Sequence, residues 1–213
     1  MGNFESIQAA IIAGDSVTVK QLVTDDLSKG ISAADIIAQG LIGGMNVIAE
    51  RFRNNEIFVP EVMLAAKAMQ AGLTLIKPLL AGTVHQPLGK IIIGTVQGDQ
   101  HDIGKNLVGM MFEGAGFAVT DLGSNVAVEK FIAAVRENKP DILALSALLT
   151  TTMPRMAETI QRLKDEGLRE GVKVMIGGAP VSESYAVKIG ADGYAPDAGA
   201  AVAVAKSLMG VTL

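Results

Sequence analysis

The chain has 213 residues, 49% hydrophobic and 19% charged; with 4% aromatics and no Trp, its cores must be built from Ala, Ile, Leu, Val and Met. Its 18 basic and 22 acidic residues leave a net charge of −4, which argues against a nucleic-acid surface. Zero cysteine excludes a disulfide framework, thiolate zinc sites and iron–sulfur clusters, and two histidines are too few for a multi-histidine metal site.

Residues 1–82 read as a helical bundle. Asn3 or Ser6 caps a first helix that ends near Gly14, and Asp15 or Ser16 caps a second that runs to Gly30. Ser32 precedes a long third helix whose apolar stripe is Ile37, Leu41, Met45, Ile48 and Phe52. Pro60, with Glu61 behind it, opens a fourth. Its stripe is Val62, Ala66, Met69, Leu73, Ile76 and Leu80, and Pro78 falls in its last turn. Four short-linked helices imply an antiparallel bundle.

Residues 83–89 carry the Gly/Pro punctuation of a linker, after which the period changes. Short β-branched runs at 90–96, 118–122, 141–146, 172–176 and 192–195 alternate with helical patterns near 103–115, 127–138, 153–167, 181–188 and 197–208. That alternation predicts an α/β domain over 90–213, a flavodoxin-like (Rossmann-like) five-stranded parallel sheet covered on both faces. The start, Met1-Gly2-Asn3-Phe4-Glu5, has no secretory pattern, and the longest nearly apolar stretch, 142–153, is too short to span a bilayer. The expectation is a cytoplasmic protein with no membrane or nucleic-acid partner.

The chemistry concentrates after the first strand, in Gly98-Asp99-Gln100-His101-Asp102-Ile103-Gly104. Ligands of open α/β sheets bind at this C-terminal strand edge. Asp99 can accept a hydrogen bond from one ring nitrogen of His101, which fixes the tautomer and leaves the other nitrogen a better metal donor. One histidine suffices if a macrocycle supplies the remaining ligands. Gly98 and Gly104 leave room for a bulky group near the backbone. Ser146-Ala147-Leu148-Leu149-Thr150 follows the third strand and Gly177-Gly178 the fourth, so all three segments should meet on one edge. The bland readings are an N-cap for Asp99, a polar loop for the second segment and a tight turn for the glycine pair.

Asp99-x-His101-x-x-Gly104, followed by Ser146-x-Leu148 and Gly177-Gly178, resembles the corrinoid (vitamin B12) proteins. Residues 90–210 are similar to the cobalamin-binding domain of methionine synthase, and 1–82 to the helical cap that precedes it there. Gly44-Met45-Asn46-Val47-Ile48-Ala49-Glu50-Arg51-Phe52 and Phe58-Val59-Pro60-Glu61 carry the likeness of the cap. The two modules standing alone resemble corrinoid proteins of three-component methyltransferase systems in anaerobes.

The resemblance implies a cofactor, cobalamin or a related corrinoid, cycling between methylcob(III)alamin and cob(I)alamin. Cobalt would be bound by His101 in place of the cofactor's own base. Asp99, His101 and Ser146 would form a relay from cobalt to solvent, linking proton uptake to loss of the methyl group. Gly98, Asp99, Gln100, Asp102, Thr150, Gly177, Gly178 and Ala198 would contact the corrin or its tail. Ser146 and Leu148 would line the slot for that tail. Gln100 departs from the family, which often has an apolar residue there. Phe58 would lie over the methyl, supported by Phe52 and Met63, although both of these read more readily as bundle core. The cap would swing about the 82–89 hinge.

The implied function is a methyl carrier, catalytic only with partners. A substrate-specific methyltransferase would load it from a small methylated compound: a methylamine, methanol, glycine betaine or an aryl methyl ether. An acceptor methyltransferase would pass the methyl to tetrahydrofolate or coenzyme M, and a reductive activase would service the cobalt. The alternatives are a cobalamin-dependent sensor, for whose DNA-binding module the N-terminus has neither room nor basic charge, and a mutase small subunit, which usually lacks a cap. A nucleotide-binding flavodoxin-like domain has no glycine-rich phosphate motif here to support it.

Overall fold

Hydrogen-bonding residues sit where the helix starts need them. A computed structural model describes residues 2–76 and 87–211; the chain divides into one unit of Met1–Pro87 with Glu113–Gly116 and another of Leu88–Phe112 with Phe117–Leu213. The first unit contains α1 (Phe4–Ile12), α2 (Ser16–Ser28), α3 (Ala33–Asp35), a π-helical segment (Ile36–Ile42), α4 (Gly43–Arg53) and α5 (Val59–Ile76). Asp15 caps α2, accepting from the N–H groups of Val17 and Thr18 at 3.0 Å each. Glu61 reaches back to the Phe58 N–H at 3.0 Å, the return half of a capping box at the start of α5.

The expected third helix is thus not one regular α-helix. A π turn interrupts it between α3 and α4, where closely spaced glycines meet α1. A Cβ on Gly40 would lie 3.1 Å from the side chain of Ile7, and one on Gly44 only 2.7 Å from Ile11. Of the expected stripe, Ile37, Leu41, Met45 and Ile48 are buried and Phe52 is half-buried. On α5, Val62, Ala66, Met69 and Ile76 are buried as expected, but Leu73 is half-buried, and Ala65, Ala68 and Gly72 complete the buried face. Small residues serve there because α5 runs close to α2: a Cβ on Gly72 would be 3.0 Å from Val19 and from Leu41.

Met63 is 49% exposed, so the bundle-core reading fails for it. It lies on the opposite side of α5 from the buried face. Helix α5 is also long and apolar enough to cross a membrane by length and composition alone, a feature the sequence reading passed over. Its buried face packs within the bundle. Pro78, Leu80 and most of the expected hinge, residues 82–86, lie outside the described residues.

The second unit holds β1 (Lys90–Thr95), α6 (Ile103–Gly114), β2 (Ala118–Asp121), α7 (Val128–Asn138), β3 (Ile142–Ser146), α8 (Pro154–Asp165), β4 (Lys173–Gly177), α9 (Glu183–Ile189), β5 (Gly193–Ala195) and α10 (Ala198–Leu208). The strands form one parallel sheet in the order β2-β1-β3-β4-β5, the flavodoxin-like arrangement. β1 stops one residue earlier than expected, because Val96 turns aside to bridge Val126. On one face Ile92, Leu143, Leu145, Val174 and Ile176 pack under Phe131 and Val135 of α7 and Ile160 and Leu163 of α8. The edge strand β2 is largely exposed, which suits its polar Thr120 and Asp121.

Two glycine substitutions separate close packing from helix propensity. In urea unfolding, Gly44→Ala should destabilise by about 1–2 kcal/mol, because overpacking against Ile11 outweighs the gain in propensity. Gly109→Ala, in α6 with no atom within 4 Å of an added Cβ, should stabilise by up to about 1 kcal/mol.

Candidate cofactor site

Strand register gathers the predicted segments. Thr95 pairs with Ser146, Ser146 with Gly177 and Gly177 with Ala195, forming one row across the C-terminal edge of β1, β3, β4 and β5. The loops beyond that row carry the chemistry-bearing residues. β1 and β3 are neighbours whose connections leave in different directions, so the edge between them is a topological switch point.

The loop after β1 is organised around Asp99, whose side chain is fully buried. Its Oδ1 accepts the His101 Nδ1–H at 2.7 Å and the His101 backbone N–H at 3.1 Å. The carboxylate has no proton to give, so the ring proton belongs on Nδ1. Its Oδ2 accepts from the Leu148 N–H at 2.7 Å, the Leu149 N–H at 3.2 Å and the Thr152 hydroxyl at 2.8 Å. Burial pushes the carboxyl up, but the hydrogen bonds from His101, Leu148 and Thr152 outweigh it and hold it down at about 2. A charged carboxylate therefore ties the loop after β1 to the loop after β3.

The His101 side chain is 52% exposed, and its Nε2 makes no hydrogen bond among the described residues. The Thr95 hydroxyl, itself buried, donates to the His101 carbonyl at 2.9 Å. Beyond it Gly104, near the start of α6, is exposed, with nothing within 4 Å of a notional Cβ. Among the described residues no cluster of three or more His, Cys, Asp or Glu could cage a metal. An oriented imidazole of this kind can ligate a metal that brings its other ligands with it.

The remaining predicted residues divide by what holds them. Gly98 is left-handed (φ +86°), and its N–H donates to Asn125 Oδ1 at 2.8 Å. Gln100 is exposed, and its Oε1 accepts from the Ser124 hydroxyl at 3.4 Å. Asp102 is half-buried, and its carbonyl accepts the Asn106 N–H at 2.7 Å to start α6. Leu148 is half-buried and reaches Asp99 through its main chain; Thr150 is exposed. Gly178 is demanded by the fold itself: at φ +126°, a Cβ would fall 1.9 Å from the Ala147 carbonyl oxygen. The tight-turn reading thus accounts for that glycine without a ligand, while Gly177 holds its place in the row. Ala198 is buried as the first residue of α10, behind the Asp197 cap. Phe58 belongs to the helical unit, where its side chain is 66% exposed.

Ser146 does not join the Asp99–His101 pair. Its side chain makes no hydrogen bond to Asp99, because Oδ2 is already filled by two backbone donors and Thr152. The hydrogen-bond chain from His101 through Asp99 continues instead to the hydroxyl of Thr152, a residue the sequence reading missed. The run Thr150-Thr151-Thr152 offers three hydroxyls, and only the turn after β3 selects the third as the buried one. Asn125 and Thr95 were missed as well, since their bonds to the loop depend on strand pairing.

The B12 binding domain model matches residues 89–203, and a second B12 binding domain model matches residues 4–77. Dimethylamine corrinoid protein 1 of Methanosarcina acetivorans is 45% identical over 203 residues, covering 93% of this chain and 95% of that protein. Among solved structures, a cobalamin-binding protein from Desulfitobacterium hafniense has a TM-score of 0.80 at 34% identity, with 97% of this chain and 98% of that one covered. The methanol:cobalamin methyltransferase complex of Methanosarcina barkeri gives 0.88 at 31%, covering 97% of this chain and 79% of that one.

A carboxyl held at about 2 when folded, against about 3.9 unfolded, contributes stability that is present above the unfolded value and lost as pH falls through the folded one. In urea titrations of the apoprotein from pH 7 to pH 2, that part of the stability, about 2 kcal/mol, should decline from near pH 5 downward. Asn at position 99 should remove the acid-dependent component and destabilise the protein at pH 7. Parallel pH profiles for wild type and Asp99→Asn would contradict the assignment.

Proposed function

The chain belongs to the B12-binding family, with a corrinoid as its cofactor, and from that premise we propose that His101 binds the cobalt and that the protein is the methyl carrier of a methyltransferase system. The observation that carries this reading is the half-exposed His101 ring, with Nδ1 committed to buried Asp99 and Nε2 without a hydrogen-bond partner among the described residues. The residues fit the group. The imidazole offers one donor nitrogen, open space lies over Gly104, and the row Thr95, Ser146, Gly177 borders the crevice.

A bound corrinoid supplies a metal centre that can take up and give up a methyl group; the protein's part is binding, orientation and protection. His101 would hold the metal through Nε2. Asp99 keeps the ring proton on Nδ1 and fixes the ring plane, and Leu148, Leu149 and Thr152 keep Asp99 charged and still. Whenever Nε2 is not engaged by the metal, that nitrogen would be free to accept a proton, and the Asp99 carboxylate lies in place to balance the charge. Gly98 and Gly104 keep side chains out of the approach. Ser146, Leu148 and Gly177 form the wall toward β3 and β4, where the cofactor's tail would pass.

The partners are a substrate-specific methyltransferase that loads the carrier, an acceptor methyltransferase using tetrahydrofolate or coenzyme M, and a reductive activase. Methylated amines come first among the donors, because a dimethylamine corrinoid protein is 45% identical to this chain. The test is to load the protein with hydroxocobalamin, reduce it, and add the methyltransferase encoded beside its gene together with dimethylamine, trimethylamine or methanol in turn. One substrate should shift the visible spectrum to that of the methylated corrinoid. His101→Ala should lower cofactor retention or the transfer rate by about tenfold or more, the usual range for a disrupted ligand environment. A corrinoid-loaded protein that no methylated substrate alters, or a variant that matches wild type in retention and rate, would overturn the reading.

A further inference from the structure

We propose that Asn125 is a positioning residue for His101, acting through the main chain of Gly98 and Asp99. The inference rests on the reading that His101 binds the corrinoid. Asp99 fixes the ring, but a carboxylate can aim a ring only as well as its own backbone is held. Among the described residues three hydrogen bonds hold the main chain of Gly98 and Asp99, and two of them come from Asn125. Its Oδ1 accepts the Gly98 N–H at 2.8 Å, and its own N–H donates to the Asp99 carbonyl at 2.9 Å. The third is the Asp99 N–H to the Val96 carbonyl at 3.1 Å.

The geometry explains the residue type. Asn125 is left-handed (φ +53°), one of three non-glycine residues with positive φ among the described residues. Asn tolerates that conformation better than most side chains, and it carries an acceptor short enough to reach the loop. The ground beneath it is fixed to β1: the Thr95 N–H donates to the Gly123 carbonyl at 3.0 Å, and the Val126 N–H to the Thr95 carbonyl at 2.9 Å. The loop after β2 is therefore a strap across the ligand loop, with Asn125 as its buckle. Among the described residues no hydrogen bond joins Asn125 to the His101 ring; its bonds go to Gly98 and Asp99, so its hold on the ring passes through the loop.

Two substitutions separate backbone conformation from the acceptor. Asn125→Gly keeps the left-handed conformation at no steric cost and deletes Oδ1. Asn125→Asp keeps both. In apoprotein labelled with 15N-histidine, the His101 Nδ1–H signal should exchange with water about threefold to tenfold faster in Asn125→Gly, the range for loss of one hydrogen bond. Loaded with hydroxocobalamin, the same variant should release the corrinoid about threefold to tenfold faster, with less of the spectrum in the histidine-bound form. Asn125→Asp should restore both readouts. An unchanged Nδ1–H signal and corrinoid release in Asn125→Gly would overturn the proposal. So would a fall in melting temperature without a change in either, since that would mark a structural residue only. Should wild type itself retain no corrinoid, the proposed function fails, and the apoprotein signal still decides whether Asn125 positions the ring.

Discussion

The buried carboxylate of Asp99 is the constraint on which the site depends. A charge with no exposure to water is costly, and it persists only where donors replace the water. Here five donor groups converge on its two oxygens: two from His101, the N–H groups of Leu148 and Leu149, and the Thr152 hydroxyl. Meeting that demand joins the loops after β1 and β3, which the sheet brings side by side. The same bonds leave the imidazole with one committed nitrogen and one open one. Stability and ligand geometry are thus two consequences of one desolvated charge.

Much of this architecture can be read from the residues. The change from helical stripes to β-branched runs near residue 90 separates a bundle from a parallel sheet. The acid two positions before His101 reports their pairing, because that spacing lets a carboxylate meet a ring across a turn. Periodicity did not reveal the π turn at Ile36–Ile42, since the buried positions Ile37 and Leu41 fit a regular helix equally well. Nor could it reveal Thr152 or Asn125. Their partners lie 53 and 27 positions away along the chain, and their roles exist only once β1 and β3 are paired and the loop after β2 is in place. Ser146 entered the expected relay through the resemblance alone, whereas the turn beyond it brings the Leu148 and Leu149 N–H groups and the Thr152 hydroxyl onto Asp99. Gly178 gave the opposite lesson: a residue that suits a cofactor slot is required by the Ala147 carbonyl regardless of any ligand.

The division of labour follows from these restraints. A flavodoxin-like sheet hosts many activities, so the fold alone assigns none. What narrows the choice here is a site with a single oriented donor nitrogen, without thiolates and without a cluster of carboxylates and histidines among the described residues. Such a site is poorly suited to building a metal centre and well suited to receiving one already made. On the proposed function, the protein's contribution is to hold one nitrogen in place and to leave the chemistry to the bound group and to partner methyltransferases.

The most direct test of the central claim is an electron paramagnetic resonance spectrum of the corrinoid-loaded, one-electron-reduced protein, recorded with unlabelled and with 15N-labelled histidine. If His101 binds the cobalt, the axial nitrogen splitting changes from the triplet pattern of 14N to the doublet of 15N, and His101→Ala abolishes the change. A splitting indifferent to the histidine label would mean that the cofactor keeps its own base, and the account of Asp99, His101 and the loop around them as a ligand site would be wrong.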